Sequence, residues 1–195
     1  TRMDASTGMK SDGNWGWREL KAAENNYRLE KLTVVAHRGG YFEGVKENTV
    51  EAIKRSVAAG VDAVEFDVQM TKDGKIVAIH DRDINGSRVT EMEFKDIRNI
   101  DEDIATFDEI FEAAKGKVKL HIHIVWTEGK DEVVIKKLAD FIRTNNIVKD
   151  ALIISFYADD LRLMKQIYPE VKICFIFEPK ELEEALNDPA KWQQL

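Results

Sequence analysis

Two histidines lie two residues apart in a stretch that otherwise has the composition of a buried strand. The stretch is KLHIHIVW, residues 119–126, and it holds two of the four histidines in the chain. Side chains at positions i and i+2 of a strand point to the same face, so His121 and His123 are predicted to point together. Imidazole groups titrate near neutrality and serve as general acids, general bases or metal ligands.

A pair of carboxylates repeats this spacing. Glu65 and Asp67 stand two residues apart in VEFDV, on one face of an apolar strand. Buried carboxylates are costly unless they are paired or bound to a metal. Carboxylate oxygens are also the ligands that Mg²⁺ and Ca²⁺ prefer. The spacing therefore predicts a divalent-cation site at Glu65 and Asp67.

Further polar residues stand where the predicted strands end. The first strand ends at His37 and Arg38, and the third ends at His80 and Asp81. In a (β/α) barrel the carboxyl ends of the strands converge on one mouth, which carries the chemistry. An arginine can clamp a phosphate, and two histidines can act as acid and base. Each residue alone has a simple structural explanation, but together with a metal they indicate phosphodiester cleavage.

Predicted strands and helices alternate along the chain and must position these groups. The predicted strands are 33–37, 61–70, 75–80, 118–125, 151–156 and 171–177. Most are apolar and continuous, which indicates a buried and largely parallel sheet. The pattern fits an open doubly wound sheet or a (β/α) barrel. The glycine-rich motifs GxGxxG and GxxxxGK[ST] are absent, which weakens the nucleotide-binding, doubly wound alternative.

Local signals mark where several helices begin. Thr49 is suited to cap a helix that ends before Gly60. The sequences TEME, residues 90–93, and TFDE, residues 106–109, both have the form of a capping box and are each predicted to open a helix. Other predicted helices cover 17–32, 131–145, 161–168 and 180–188. Residues 1–31 are interpreted as an N-terminal lead-in segment with a helix, and residues 32–195 as the barrel domain.

The overall composition limits the classes of partner. The net charge of −7 argues against a general affinity for nucleic acid. No apolar run approaches the roughly 20 residues of a transmembrane helix. The chain is therefore expected to be soluble, in the cytoplasm or in a periplasmic or extracellular space. Cys174, the single cysteine, cannot form a disulfide within the chain and is predicted to be a buried structural thiol.

The motifs taken together resemble those of the glycerophosphodiester phosphodiesterases. The family pattern is HRG, ENT, E-x-D followed by T-x-D-G, and HD, and this chain has AHRGG, ENT and EFDVQMTKDGKIVAIHD. The resemblance extends over roughly residues 32–177. It implies a (β/α)8 barrel of the TIM type and a small-molecule glycerophosphodiester substrate, hydrolysed to glycerol 3-phosphate and an alcohol.

The same resemblance implies a role for each of these residues. His37 and His80 would form the acid–base pair, and Arg38 would hold the phosphate. Glu65 and Asp67 would bind the metal, with Mg²⁺ or Ca²⁺ expected.

The histidine pair departs from the family pattern, which has E-x-K on this strand. His123 falls where the third metal-binding glutamate is expected, and Val125 falls where a phosphate-binding lysine is expected. Either His123 keeps a metal, with imidazole favouring Zn²⁺ or Mn²⁺, or the protein is a non-catalytic relative that binds a phosphoester or a metal. His121 is expected in a deeper layer, hydrogen-bonded to a neighbour.

The predicted barrel is also short. About six strands are visible, whereas a complete barrel has eight strands and about 250 residues. Only about 25 residues separate HD from the TFDE helix, so the part that covers the substrate is expected to be reduced. Either the chain is a fragment of a longer barrel, or its open edges are covered by the N-terminal segment or by a second copy in a homo-oligomer.

Overall fold

The structure of the protein is a computed structural model that describes residues 33–127 and 131–177. Its strands are β1 Val35–Ala36, β2 Ala63–Met70, β3 Ile76–Ala78, β4 Asp83–Ile84, β5 Ser87–Arg88, β6 Lys119–Ile124, β7 Ala151–Ser155 and β8 Lys172–Phe175. Its helices are α1 Val50–Ala59, α2 Phe94–Ile100, α3 Phe107–Ala114, α4 Asp131–Thr144 and α5 Ala158–Ile167. The helices predicted for 17–32 and 180–188 lie outside the described residues, and the boundary between lead-in segment and domain stays a prediction.

The main sheet is largely parallel, which confirms the predicted α/β class. Its strands follow the order β1-β2-β6-β7-β8, and every neighbouring pair in that order is parallel. All eight residues of β2 are buried. Phe66 of β2 packs against Phe107 of α3, with ring centroids 5.8 Å apart. Side chains alternate between the two faces of a strand. Glu65 and Asp67, which flank Phe66, therefore face the opposite side of the sheet.

The third predicted strand is not a barrel strand, which corrects the sequence interpretation. β3 pairs with the end of β2 in the antiparallel sense, Val68 opposite Ala78 and Met70 opposite Ile76. Only residues 71–75 connect the two strands. A parallel connection needs a crossover of about a dozen residues or more, whereas a short turn gives a hairpin. The main sheet of the described residues therefore has five parallel strands and one antiparallel strand.

β1 and β3 share one edge of β2. Ala63 and Val64 pair with β1 on this edge, and residues 68–70 pair with β3, while β6 occupies the opposite edge. The segment of β2 from Glu65 to Asp67 therefore lies between the end of β1 and the end of β3. This arrangement brings the loops after both strands to the same place.

The capping signals succeed at two helices and fail at one. Thr49 caps α1 by accepting the Ala52 N–H, and Thr106 forms a complete capping box with Glu109 at α3. Thr90 instead lies in a 3₁₀ turn, and α2 begins only at Phe94. The reason is that the Met92 carbonyl accepts the Lys72 N–H, which holds the chain extended there.

The outer strand β8 corrects one further prediction. Cys174 is exposed and not buried. Among the described residues β8 pairs only with β7, so its residues 172–174 are exposed. β1 and β8 are the two ends of the described parallel sheet. Whether a second copy covers these edges stays a prediction.

Candidate functional site

Two carboxylates and an imidazole meet where β2 and β6 lie side by side. Glu65 and Asp67 belong to β2, and His123 of β6 lies opposite Asp67 in the strand register. The three side chains are buried, and one potential ligand atom from each lies within 4.8 Å of the others. His123 Nδ1 is 2.9 Å from Asp67 Oδ1 and 3.7 Å from Glu65 Oε1. This cluster is the candidate metal centre.

The surroundings act on the two carboxylates in opposite directions. Burial raises the pKa of Glu65, although the Arg38 backbone N–H donates a hydrogen bond to Glu65 Oε2 at 2.7 Å. Burial also opposes ionisation of Asp67, but hydrogen bonds from His123 and Asn48 outweigh it and hold the pKa of Asp67 below its usual value. The surroundings thus favour the anionic form of Asp67, while Glu65 binds a proton more readily.

The donor set fits a divalent cation. Two carboxylates supply oxygen ligands, and His123 supplies a nitrogen. The nitrogen of His123 that faces both carboxylates is Nδ1, so that atom would be the ligand in this orientation of the ring. The other ring nitrogen, Nε2, is buried and has no hydrogen-bond partner among the described residues. A cation would also partly neutralise the charges of the two neighbouring buried carboxylates.

The sequence HRGG forms a tight turn at the end of β1. Arg38 has φ 51°, Gly39 81° and Gly40 100°, so three consecutive residues lie in the region of positive φ. A Cβ on Gly40 would lie 2.3 Å from the Ser56 Oγ, which leaves no room for a side chain. The turn therefore needs its glycines, and it directs the Arg38 N–H at Glu65.

The Arg38 side chain lies over the cluster. Its Nη1 donates to Glu47 Oε1 at 2.9 Å, and its Nε is 3.6 Å from Asp67 Oδ2. The Nε is buried and has no hydrogen-bond partner among the described residues. The guanidinium is thus oriented by Glu47 and lies close to Asp67, and a guanidinium fixed in this way is suited to bind an anion.

The two predicted acid–base histidines adjoin the cluster from different loops. His37 is strongly exposed, with its side chain 77% accessible, and its Nε2 is 4.0 Å from Glu65 Oε2. His80 follows β3, and its charge contributes to the lowered pKa of Asp67. His80 Nδ1 lies 2.9 Å from Asp81 Oδ1. All six predicted site residues thus lie at one end of the sheet.

The remaining predicted positions differ in their surroundings. Val125 is buried, and its N–H donates to the Val68 carbonyl. His121 lies opposite Glu65 in the register and is half-buried. Burial and the charge of Lys119 lower the pKa of His121. Within residues 33–127 and 131–177 its imidazole has no hydrogen bond, so that part of the prediction was wrong.

Sequence reasoning missed Asn48, which holds Asp67 from two sides. Its Nδ2 donates to Asp67 Oδ2 at 3.0 Å, and its Oδ1 accepts the Asp67 N–H at 3.1 Å. Asn48 has φ 56°, a left-handed conformation that asparagine tolerates better than most residues. The ENT motif contains this residue, so the signal was present without an assigned role. Phe156, whose ring centroid is 5.1 Å from that of His123, had no signal in the sequence.

The fold and the site together define a class of protein. A largely parallel α/β sheet with its polar cluster at the carboxyl ends of the strands is typical of barrel enzymes. In the described part of the chain, no helix combines the length and the apolar composition needed to cross a bilayer.

Known proteins identify the family. Residues 37–194 match the model of the glycerophosphoryl diester phosphodiesterase family. A glycerophosphodiester phosphodiesterase of Caldanaerobacter subterraneus subsp. tengcongensis is 33% identical over 169 residues, which cover 76% of this chain and 68% of that protein. The chain belongs to the glycerophosphoryl diester phosphodiesterase family, which places it in the phosphoric diester hydrolase class.

Solved structures confirm the fold. A glycerophosphodiester phosphodiesterase from Parabacteroides distasonis has a TM-score of 0.67 at 23% identity, over 78% of this chain and 69% of that one. An Oleispira antarctica phosphodiesterase, in complex with its product sn-glycerol-3-phosphate, has a TM-score of 0.66 at 20% identity, over 80% of this chain and 71% of that one. The predicted (β/α) barrel type is confirmed, and the described residues contain part of such a barrel.

Proposed function

We propose that this protein hydrolyses glycerophosphodiesters to glycerol 3-phosphate and an alcohol with the help of a divalent cation. The observation that carries the proposal is the buried cluster of Glu65, Asp67 and His123, whose potential ligand atoms lie within 4.8 Å of one another. His37 and Arg38 follow β1, which pairs with one edge of β2, and both residues lie beside Glu65 of this cluster. The proposed small-molecule substrate, a glycerophosphodiester, follows from the reaction of the family.

The proposed binding of the phosphodiester relies on positive charge at the cluster. A divalent cation held there would supply charge to the phosphate oxygens and orient the substrate. Arg38 adds a guanidinium whose Nε has no hydrogen-bond partner among the described residues. Its link to Glu47 fixes the orientation of the group before substrate arrives. Arg38 is therefore assigned to the phosphate.

The proposed proton transfers use His37 and His80. An ionised carboxylate can only accept a hydrogen bond, so the His80 Nδ1 that lies beside Asp81 carries the hydrogen. The Nε2 of His80 is then the atom that accepts or returns a proton. His37 is exposed and can exchange its proton with water between turnovers. One histidine removes a proton from the attacking water as its oxygen bonds to phosphorus, and the other protonates the oxygen of the alcohol as its bond to phosphorus breaks.

The identity of the metal is a finer proposal. The two carboxylates favour Mg²⁺ or Ca²⁺, and His123 favours Zn²⁺ or Mn²⁺. Two observations favour the alternative of a non-catalytic relative. His123 Nδ1 lies 2.9 Å from Asp67 Oδ1, so the imidazole can pair directly with a carboxylate that would otherwise bind the metal. Val125 is buried and brings no charge to the site. Such a protein would bind a phosphoester or a metal without turnover.

Hydrolysis of glycerophosphocholine by the full chain tests the proposal. Release of glycerol 3-phosphate is measured after removal of metals with a chelator and again after addition of Mg²⁺, Ca²⁺, Mn²⁺ or Zn²⁺. We expect release that depends on an added metal and that is lost in Glu65→Ala/Asp67→Ala. The control Glu112→Ala/Asp140→Ala removes two exposed carboxylates and should behave like the parent. Metal binding without any release would support the non-catalytic alternative.

A further inference from the structure

Three successive backbone carbonyls around His80 converge on one buried side chain. The Nε2 of Gln69 donates to the carbonyls of Ile79 at 3.0 Å and Asp81 at 2.7 Å, and lies 3.4 Å from that of His80. Gln69 is fully buried on β2. It lies two residues beyond Asp67 and therefore on the same face of the strand as Glu65 and Asp67.

Such convergence does not arise from regular strand geometry. Successive carbonyls of an extended strand point to alternate sides, so residues 79–81 must bend to aim three oxygens at one point. Without a donor between them, the partial negative charges of these oxygens would repel one another. The amide of Gln69 supplies the donor, and it thereby maintains the bend that carries the His80 side chain.

A second side chain holds the same segment from the neighbouring strand. The indole Nε1 of Trp126 donates to the His80 carbonyl at 2.8 Å. Trp126 lies just beyond β6, the strand of His123, and has φ 47°. A left-handed backbone is costly for a residue with a side chain and persists only where the surroundings require it. His80 is thus fixed from both strands that carry the metal cluster.

The other end of the Gln69 amide points to a role beyond packing. Its Oε1 is buried and has no hydrogen-bond partner among the described residues. A buried acceptor without a partner destabilises the folded state. An apolar residue of similar size would avoid that penalty. The contacts of Nε2 are therefore what the amide contributes at this position.

We propose that Gln69 and Trp126 are positioning residues that fix His80 relative to the Glu65–Asp67–His123 cluster. The inference rests on the proposed acid–base role of His80. It explains how a histidine that follows an antiparallel hairpin, and not a barrel strand, keeps a defined place at the site. The metal cluster itself depends on the register of β2 with β6 and should be independent of these contacts.

Kinetics of Gln69→Met and Trp126→Phe, alone and combined with His80→Ala, test the proposal. Gln69→Met keeps the size of the side chain without its donor, and Trp126→Phe keeps a ring without the indole N–H. We expect each to lower kcat about 10²-fold, the effect of a small misplacement of a reacting group, with KM and metal affinity unchanged. In the His80→Ala background neither change should lower kcat further. Gln166→Met, on the exposed side of α5, is the matched control.

The outcomes separate this proposal from the proposed function. If His80→Ala keeps the parental kcat, the acid–base role fails and the positioning role falls with it. If His80→Ala is impaired while both positioning variants are parental, the positioning role alone is overturned. Hydrogen exchange of the amides of residues 79–82 gives a readout that needs no activity. We expect faster exchange in Gln69→Met, and unchanged exchange would contradict the proposal even in a protein without turnover.

Discussion

The two halves of the candidate site are held in place by different means. Glu65, Asp67 and His123 are carried by neighbouring parallel strands, and each is buried. His37 and His80 stand on loops, the first strongly exposed and the second about one third exposed. The strands are fixed by a continuous ladder of backbone hydrogen bonds. The loops depend on a few contacts between single side chains and the backbone.

This difference predicts how each half responds to mutation. A ladder of backbone bonds does not depend on the side chains it carries, so changes to ligands should remove binding without moving the remaining groups. The loop histidines depend on their supports, so changes at Gln69 or Trp126 should impair catalysis and leave metal binding intact. Mutations in the two halves of the site test this contrast.

The metal cluster gives the largest effect. Glu65→Ala/Asp67→Ala should abolish specific binding of Mg²⁺, Ca²⁺, Mn²⁺ and Zn²⁺, because it removes both anionic ligands of the cluster. Isothermal titration calorimetry on the full chain measures this, with Glu112→Ala/Asp140→Ala as the control for the loss of two carboxylates. Binding as tight as in the parent would rule out the cluster as the metal site.

The loop histidines come next. His37→Ala and His80→Ala should each lower phosphodiesterase kcat by about 10²–10⁴-fold, the usual contribution of a general acid or base. Metal binding should be unchanged in both, since neither residue belongs to the buried cluster. His121→Ala removes an imidazole from β6 outside the proposed machinery and is the control.

A retained rate would have a clear meaning. Activity of His37→Ala within about three-fold of the parent, far less than an acid or base contributes, would place the hydrolysis at another site.

The departure from the family pattern gives a gain of activity. His123→Glu/Val125→Lys should raise Mg²⁺- or Ca²⁺-dependent hydrolysis by about 10²–10³-fold, the scale of one electrostatic donor at a reacting centre. The glutamate adds negative charge and oxygen ligands for a hard cation, and the lysine adds a positive group that faces the phosphate. Rates of parent and variant are compared side by side, with folding checked by circular dichroism. A folded variant no faster than the parent would locate the deficit elsewhere.

Mutation of Asn48 is expected to have the smallest effect. It tests how far this side chain stabilises Asp67 on β2. Asn48→Ala should destabilise the fold by about 1–3 kcal/mol, because it removes the hydrogen bonds of Asn48 to the buried carboxylate and to the backbone N–H of Asp67. Asn146→Ala is the control, since Asn146 also has a left-handed backbone, with φ 54°. The difference between the two free energies of unfolding isolates the contact with Asp67. Equal losses would mean that the backbone conformation alone accounts for the effect.

The pH dependence of this difference has a defined sign. The contact with Asn48 lowers the pKa of Asp67 in the folded state. A lowered carboxyl pKa stabilises the folded state above the unfolded value of about 3.9. This stabilisation is lost as the pH falls through the lower folded pKa. The difference between the free energies of unfolding of Asn48→Ala and Asn146→Ala, measured in urea, should therefore become smaller below about pH 4.

Local signals in the sequence predicted much of the fold. Apolar strands alternating with helices predicted the parallel sheet, and TFDE predicted the capping box of α3. The interpretation of KIVAIH as a barrel strand was wrong, although the short connection of residues 71–75 already indicated a hairpin. The prediction at Thr90 failed because the backbone at Met92 bonds to Lys72, a contact that a local motif does not contain.

The sequence by itself determined which face carries the carboxylates, because the two-residue period of a strand is a property of the local backbone. It also supplied the residue types at every predicted position of the site. Only the tertiary structure decided that His123 lies opposite Asp67, because pairing between residues 56 positions apart depends on strand register. The contacts of Asn48 and Gln69 likewise depend on how separate elements pack, so their roles became visible only in the folded protein.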